Sequence, residues 1–393
     1  MNKLCADDAA RSPDFLSDDS FFFTSPWKSI VTQGCFTTLD TPAWQGHDLQ
    51  SELQKKVRSA FVEARESGID KPLLVGAIPF DTRQPSALFI PQRCKYFSRQ
   101  QRVTMAEQAM AGPLPVITGR QVIPEKDAFM AMVAQAAEAT AQPELDKVVL
   151  SRLFDITTST PVKAYAMMDR LMALNPTSYH FHVPLADGGT LLGASPELLL
   201  RKTGNHFSSL PLAGSARRDD SSDDADRAVG ERLMYSQKDR YEHRLVTEAM
   251  QAVLQSRSHS LMVPEKPDLI TTSALWHLAT PIEGEVSSST ENALSLACLL
   301  HPTPALSGYP HELARQWIER LEPFDRQLFG GIVGWCDEQG DGEWVVTIRC
   351  ATLAGNRIRL FAGAGIVPAS SPEAEWHETG VKLSTMMKVF GLQ

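Results

Sequence analysis

Apolar and polar residues change rhythm twice along this chain. The first twenty residues are polar and acidic with no periodic apolar positions, a loose leader. From 21 to about 100, short apolar runs such as Leu73–Ile78 and Ala87–Ile90 stand between Pro and Gly, the pattern of strands and turns. Residues 98–122 are polar and irregular and read as a joint between an N-terminal part, 21–124, and a core, 125–393. Beyond Pro124 helical spacing appears. Asp127–Gln142, rich in Ala and Met, predicts a helix closed by Pro143, and β-branched Lys147–Arg152 predicts a strand. Ser178–Val183 and Thr190–Ala194 flank an Asp-Gly-Gly turn as two more strands. Gln237–Ser256 is a long helix, Ala293–Leu300 the buried turns of another, Trp344–Cys350 and Arg357–Ala362 a hairpin, and Pro372–Phe390 a last helix. Strands interleaved with helices over this length predict a mixed α/β or α+β architecture.

The most informative positions break the pattern. In the Gln237–Ser256 helix, Val246, Ala249, Met250 and Val253 form an apolar stripe, and Asp239 and Glu242 project into it rather than opposite it. Acids three apart share a helix face, so both carboxylates point inward. The last helix repeats this: Trp376, Leu383, Met387 and Phe390 make the stripe, with Glu375, Glu378 and Lys382 along one flank. Buried carboxylates must be protonated, paired or metal-bound. Two readings stay open: internal salt bridges to Arg or Lys, or a hard divalent cation with oxygen ligands, for which Mg²⁺ fits best.

Other groups add to the picture. Lys147 shares a half-buried strand face with Val149 and Ser151. It is either a snorkelling lysine or, if held away from water, a general base. Glu197 sits in the turn of G-A-S-P-E-L-L-L; enclosed, it becomes a proton donor. Arg349, isolated in the strand V-V-T-I-R-C-A, is a salt-bridge partner or a carboxylate clamp. Gly363 and Gly365 lack the third glycine of a dinucleotide fingerprint and suit a turn whose N–H groups meet a carboxylate. His180 and His182, without a third ligand, read as structural, and the charged run 217–232 as a solvated loop or lid.

The net charge of −9 argues against nucleic acid or an anionic membrane as partner. An anionic substrate therefore requires a local reversal of the field. Six cysteines, none spaced as C-x-x-C, read as reduced thiols of a cytoplasmic protein. No apolar run approaches the ~20 residues a membrane span needs.

The same residues carry a resemblance. Ordered blocks include D-K-V-V-L-S-R (146–152), G-A-S-P-E-L-L (193–199), P-L-A-G-S-A-R-R (211–218), K-D-R-Y-E-H (238–243), L-W-H-L-A-T (275–280), H-P-T-P-A-L-S-G (301–308), T-I-R-C-A (347–351), F-A-G-A-G-I-V (361–367) and E-W-H-E-T-G-V-K (375–382). In these the chain resembles the chorismate-utilising enzymes, the isochorismate, salicylate, anthranilate and aminodeoxychorismate synthases. V-G-A-I-P-F-D (75–81) extends the likeness toward the isochorismate synthases of catecholate siderophore pathways.

The resemblance implies an α+β fold, two packed antiparallel β-sheets flanked by helical layers, in a single domain over 21–393. It implies Lys147 as the base that activates water for attack at C2 and Glu197 as the acid that protonates the departing C4 hydroxyl. Glu242 and Glu378 match Mg²⁺ ligands, with Glu375 and Asp239 in support; several relatives have Glu where this chain has Asp239. Arg349 with Gly363 and Gly365 matches a clamp on the enolpyruvyl carboxylate, and Gly214, Ser215, His277, Ala305, Leu306 and Lys382 match the substrate pocket. Ala305, where salicylate-forming relatives carry Thr, implies that the reaction stops at isochorismate. The implied partners are chorismate and isochorismate, with coupling to a downstream isochorismatase, in a monomer.

Overall fold

The computed structural model describes residues 16–99 and 114–392. Most of the leader, 1–15, and residues 100–113 of the expected joint lie outside them. Among the described residues every strand pairing is antiparallel. One large sheet dominates, and it has two halves. The first runs Ile117–Ile123, Lys147–Thr158, Arg357–Ile366, Cys350–Ala354, Thr190–Ser195, Tyr179–Pro184. The second begins Ser29–Leu39, Ala87–Phe97, Leu73–Ile78, Ile332–Asp337, Gly342–Val346, Leu198–Thr203 and continues through His206–Leu210 to Ile282–Val286. The short strand Phe22–Thr24 pairs with both halves and joins them.

Alternation of side chains lets both halves present apolar faces to one core. Val75, Phe89 and Val333 from the second half meet Leu153, Phe181, Leu191 and Phe361 from the first. This is the two-layer antiparallel arrangement expected of the α+β fold, realised as one sheet folded through a shared strand. A separate three-stranded sheet, Leu212–Arg217, Leu275–Ala279 and Asp268–Thr271, lies outside it.

Several boundaries move. Lys147 opens a strand that continues to Thr158, paired on both edges and buried on nearly both faces because its side chains enter separate core clusters, Leu150 in one, Leu153 in another and Ile156 in a third. Part of the expected joint is strand, Ile117–Ile123. The stretch Trp344–Cys350 is not one strand: Gly342–Val346 ends, the chain breaks over 347–349, and Cys350–Ala354 begins the hairpin with Arg357–Ile366. Arg349 therefore lies in the break, with φ of 48°. The charged run is not a loop either. Asp223–Tyr235 is a helix, capped by Ser222, whose hydroxyl accepts from Ala225 N–H, and its Asp226 accepts from Trp276 Nε1 at 2.8 Å. No helix among the described residues is long and apolar enough to cross a membrane.

Candidate active site

The two helices carrying inward acids are well specified. Ser236 caps Gln237–Gln255, and Ser371, with Pro372 in the first turn, caps Pro372–Met387. Their buried faces carry Glu242, His243, Val246, Met250 and Leu254 in one and Glu375, Thr379, Leu383 and Met386 in the other. Val253, expected in the stripe, is instead 37% exposed.

A cavity with about 620 Å³ of empty space lies where these helices meet the strands. Twelve of the expected residues line it: Glu197 from its turn, Gly214 and Ser215 from one strand, His277 from its neighbour, Ala305 and Leu306 from a loop, Arg349 from the break, Gly363 and Gly365 from a strand, and Glu242, Glu378 and Lys382 from the helices. Lys147, Asp239 and Glu375 do not reach its surface and form a second layer behind it.

In this layer and in the cavity wall the inward acids meet cations. Lys147, fully buried, holds its ammonium 3.0 Å from Glu242 Oε1, close in charge though poorly aligned as a hydrogen bond. Lys238 Nζ pairs with Glu375 Oε1 at 2.6 Å, and Lys382 Nζ with Glu378 Oε1 at 2.6 Å. Lys382 also donates to the Gly363 carbonyl at 2.9 Å. Asp239 accepts from Ser236 Oγ at 2.5 Å. So three of the four inward acids are salt-bridged as they lie and Asp239 is hydrogen-bonded, and among the described residues no three metal-ligating side chains stand grouped around a common point.

The pairing is nonetheless incomplete. Glu375 Oε2 is buried without a hydrogen-bond partner among the described residues, and burial together with Glu378 pushes the Glu375 carboxyl up to about 7. Burial raises Asp239 as well, with Glu242 and Glu378 adding to the shift. Burial acts on Glu242 in the same direction, but Lys147, Lys238 and Lys382 outweigh it and hold the carboxyl below its usual range. Four carboxylates in mutual electrostatic reach, one with a partnerless oxygen, are a donor set of the kind a hard divalent cation takes.

Across the same cavity the chemistry differs. Glu197 is 3% exposed; burial pushes its carboxyl up to about 7, although the Leu212 N–H and the cations Lys147, Arg349 and Lys382 hold it down. Arg349 makes no ion pair among the described residues, and burial draws its guanidinium down to about 10. A buried cation without a counter-ion, held in a backbone conformation uncommon for a non-glycine residue, is a strong indication of a binding role. His277 is buried and kept neutral by burial and by Arg349 and Lys382. Its Nδ1 faces Ser215 Oγ at 2.9 Å, and its Nε2 has no partner among the described residues.

Glycine is required at one place above all. A Cβ on Gly365 would stand 2.1 Å from Glu242 Oε1 and 2.8 Å from Lys147 Cε. The strand must be bare there for the Lys147–Glu242 pair to exist.

Sequence reasoning missed a buried pair that organises the floor. Arg326 grips Glu322 through Nε at 2.8 Å and Nη2 at 2.6 Å, donates to the carbonyls of Leu306 and Val149 at 2.7 Å each, and Glu322 accepts from Ser151 N–H at 2.7 Å. The Lys147 strand and the Ala305–Leu306 loop are thereby tied to one ion pair. Its only sequence signal is the i,i+4 spacing, which usually marks a solvated pair. Lys238 was missed too, for want of any pattern around it. His180 and His182 are buried outside the cavity, as structural histidines.

Comparison with known proteins gives a consistent result. The family model described as "Chorismate binding enzyme" matches residues 90–391. The chain is 58% identical over 392 residues to the isochorismate synthase EntC of Escherichia coli K12, with 100% of both chains covered. A crystal structure of a putative 2,3-dihydroxybenzoate-specific isochorismate synthase, DhbC from Bacillus anthracis, superposes with a TM-score of 0.86 at 38% identity, covering 97% of this chain and 98% of that one. The menaquinone-specific isochorismate synthase MenF of E. coli superposes at 0.80 and 28% identity, covering 98% and 92%.

Proposed function

The chain belongs to the chorismate-binding enzymes, and from that membership we propose that it is an isochorismate synthase, converting chorismate reversibly to isochorismate for a catecholate siderophore pathway. The observation that carries the reading is one cavity lined by both a protonatable buried acid, Glu197, and an unpaired buried cation, Arg349, with Glu242 in its wall and Lys147 paired to Glu242 directly behind.

The reaction adds water at C2 of the ring and expels the C4 hydroxyl. Lys147 accepts the proton of the attacking water, and Glu197 gives its proton to the departing hydroxyl, which leaves as water; each role is worth roughly 10²–10⁴ in rate. Arg349, assisted by the bare backbone at Gly363 and Gly365, holds the enolpyruvyl carboxylate in a desolvated, charge-assisted contact. His277 and Ser215 orient the ring, and Ala305 and Leu306 close its other edge; the small Ala305 favours release of isochorismate without pyruvate elimination.

Glu242 and Glu378 are the residues suited to hold Mg²⁺ directly, with Glu375 and, through water, Asp239 in support. When bound, the cation supplies a positive centre for the ring carboxylate in a protein of net charge −9. Glu242 and Glu378 would then hold the cation in place of Lys147 and Lys382, and the Lys147 amine behind the cavity wall would lose its carboxylate partner. Lys382 remains anchored by the Gly363 carbonyl. The enzyme works as a cytoplasmic monomer. Incubation with chorismate and Mg²⁺ tests the reading: isochorismate as the main product supports it, and salicylate with pyruvate points to a salicylate synthase.

A further inference from the structure

A second cleft, with about 1220 Å³ of empty space, lies on the far side of the Pro372–Met387 helix and shares no lining residue with the first. Glu378 and Lys382 face the catalytic cavity, whereas His377, Val381 and Ser384 of the same helix face this one. Its floor is Arg152, from the same strand as Lys147. Arg152 is 4% exposed, yet no carboxylate pairs with it among the described residues. Its guanidinium lies 3.5 Å from the Trp376 ring centroid and 5.9 Å from that of Phe129. Nε donates to Thr379 Oγ1 at 2.8 Å and Nη2 to the Trp376 carbonyl at 3.1 Å. Those two bonds leave three of the five guanidinium N–H donors without a partner among the described residues. Burial alone draws the group down to about 10, with no acid opposing the shift.

A buried cation is ordinarily paired, because its desolvation costs several kcal/mol otherwise. Here the surroundings add charge of the same sign. Arg217, Arg218 and Lys388 also line the cleft, against Asp220; Arg218 is already held by Asp226 at 2.6 Å. Four cations against those two acids leave two positive charges in excess. Gly380 keeps the approach open, since a Cβ there would stand 3.4 Å from Arg152 Nη2. The Trp376 ring, Val381 and Ala274 give the cleft an apolar stretch of wall, beside the polar Ser273, His377 and Ser384.

We propose that this cleft is a second anion site, which takes a small dicarboxylate with an apolar ring body: one carboxylate on Arg152, the other between Arg217 and Lys388, and the ring against Trp376 and Val381. The proposal does not rest on the catalytic reading.

Isophthalate is a suitable probe, titrated calorimetrically into the full chain. Arg349→Gln disables the catalytic clamp, so binding there reports the second cleft. One isophthalate per chain is expected to bind that variant, and to weaken about tenfold or more when Arg217→Ser and Lys388→Gln are added. Those two residues lie at the exposed rim, so the added changes leave folding intact, and introduced into the unaltered chain they leave chorismate turnover unchanged. Arg152→Met, with folding checked by circular dichroism, is expected to abolish the binding. Loss of all isophthalate binding on Arg349→Gln would overturn the proposal, as would binding indifferent to Arg217 and Lys388. Inorganic phosphate binding at these residues as tightly as isophthalate would overturn the ring-dicarboxylate class.

Discussion

Glu197→Gln is the perturbation that isolates one chemical role most cleanly. The amide keeps the volume of the carboxyl, and its oxygen can still accept from Leu212 N–H, now 3.4 Å from Glu197 Oε1. Only the transferable proton is lost. Because burial holds the carboxyl at about 7, the acid form makes up about nine-tenths of the enzyme at pH 6, about a quarter at pH 7.5 and about one-thirtieth at pH 8.5. A proton donor must be protonated to act, so the ratio of the parent's kcat/KM to that of Glu197→Gln, in which the ionisation of Lys147 cancels, is expected to be level below about pH 6.5 and to fall tenfold per unit above about pH 7.5. In Glu197→Gln that descending limb should disappear and the level rate should drop by about 10²–10⁴. The assay is initial rates of isochorismate formation at saturating Mg²⁺ from pH 5.5 to 9, with circular dichroism to verify folding. A folded variant within threefold of the parent, or one that retains the same descending limb, would refute the assignment.

Other outcomes follow from the same geometry. Gly365→Ala forces a methyl to within 2.1 Å of Glu242 Oε1; a folded protein with a hundredfold or greater loss of turnover and weakened Mg²⁺ affinity by titration calorimetry is expected, and near-normal Mg²⁺ binding would count against the pair's role. Glu322→Ala strands a buried Arg326 and should cost about 3–5 kcal/mol in denaturant unfolding; a change under 1 kcal/mol would show that the pair does not organise the floor. Glu343 is fully buried, accepts from Ser25 Oγ at 2.7 Å, and burial pushes it up to about 7 from 4.5. The folded state thus binds a proton that the unfolded state has released, and this group's contribution to stability is full below about pH 4.5 and lost as pH rises through about 7. Glu343→Gln should therefore recover about 3 kcal/mol, relative to the parent, between pH 5 and pH 8; parallel pH–stability curves for both proteins would contradict this.

Much of the site was legible because burying charge is costly and periodicity exposes it. Asp239, Glu242, Glu375 and Glu378 stand out wherever a helical projection is made, and Glu242 and Glu378 do line one cavity. What periodicity could not reveal was their partners. Lys238 and Lys382 lie on the same two helices, but only tertiary packing sets Lys238 on Glu375 and Lys147 on Glu242. Arg349 misled for a related reason: apolar alternation continues on both sides of it, so a break of three residues passes for strand, and only the backbone shows the left-handed turn that aims it inward. The run 217–232 looked like loop because no apolar stripe marks it, yet a serine cap and the Asp226 contacts to Arg218 and Trp276 hold its helix in place. Glu322 and Arg326 carry the spacing of a surface pair and turn out to be almost wholly buried.

Addition of water to chorismate at C2 with the help of a divalent cation is the reaction proposed for this cavity. The most direct measurement is a chromatographic product assay with chorismate, run with Mg²⁺, with EDTA, and with Mg²⁺ restored. Isochorismate is expected in the first and third and none in the second. Unchanged conversion in EDTA, or untouched chorismate in the presence of Mg²⁺, would contradict it.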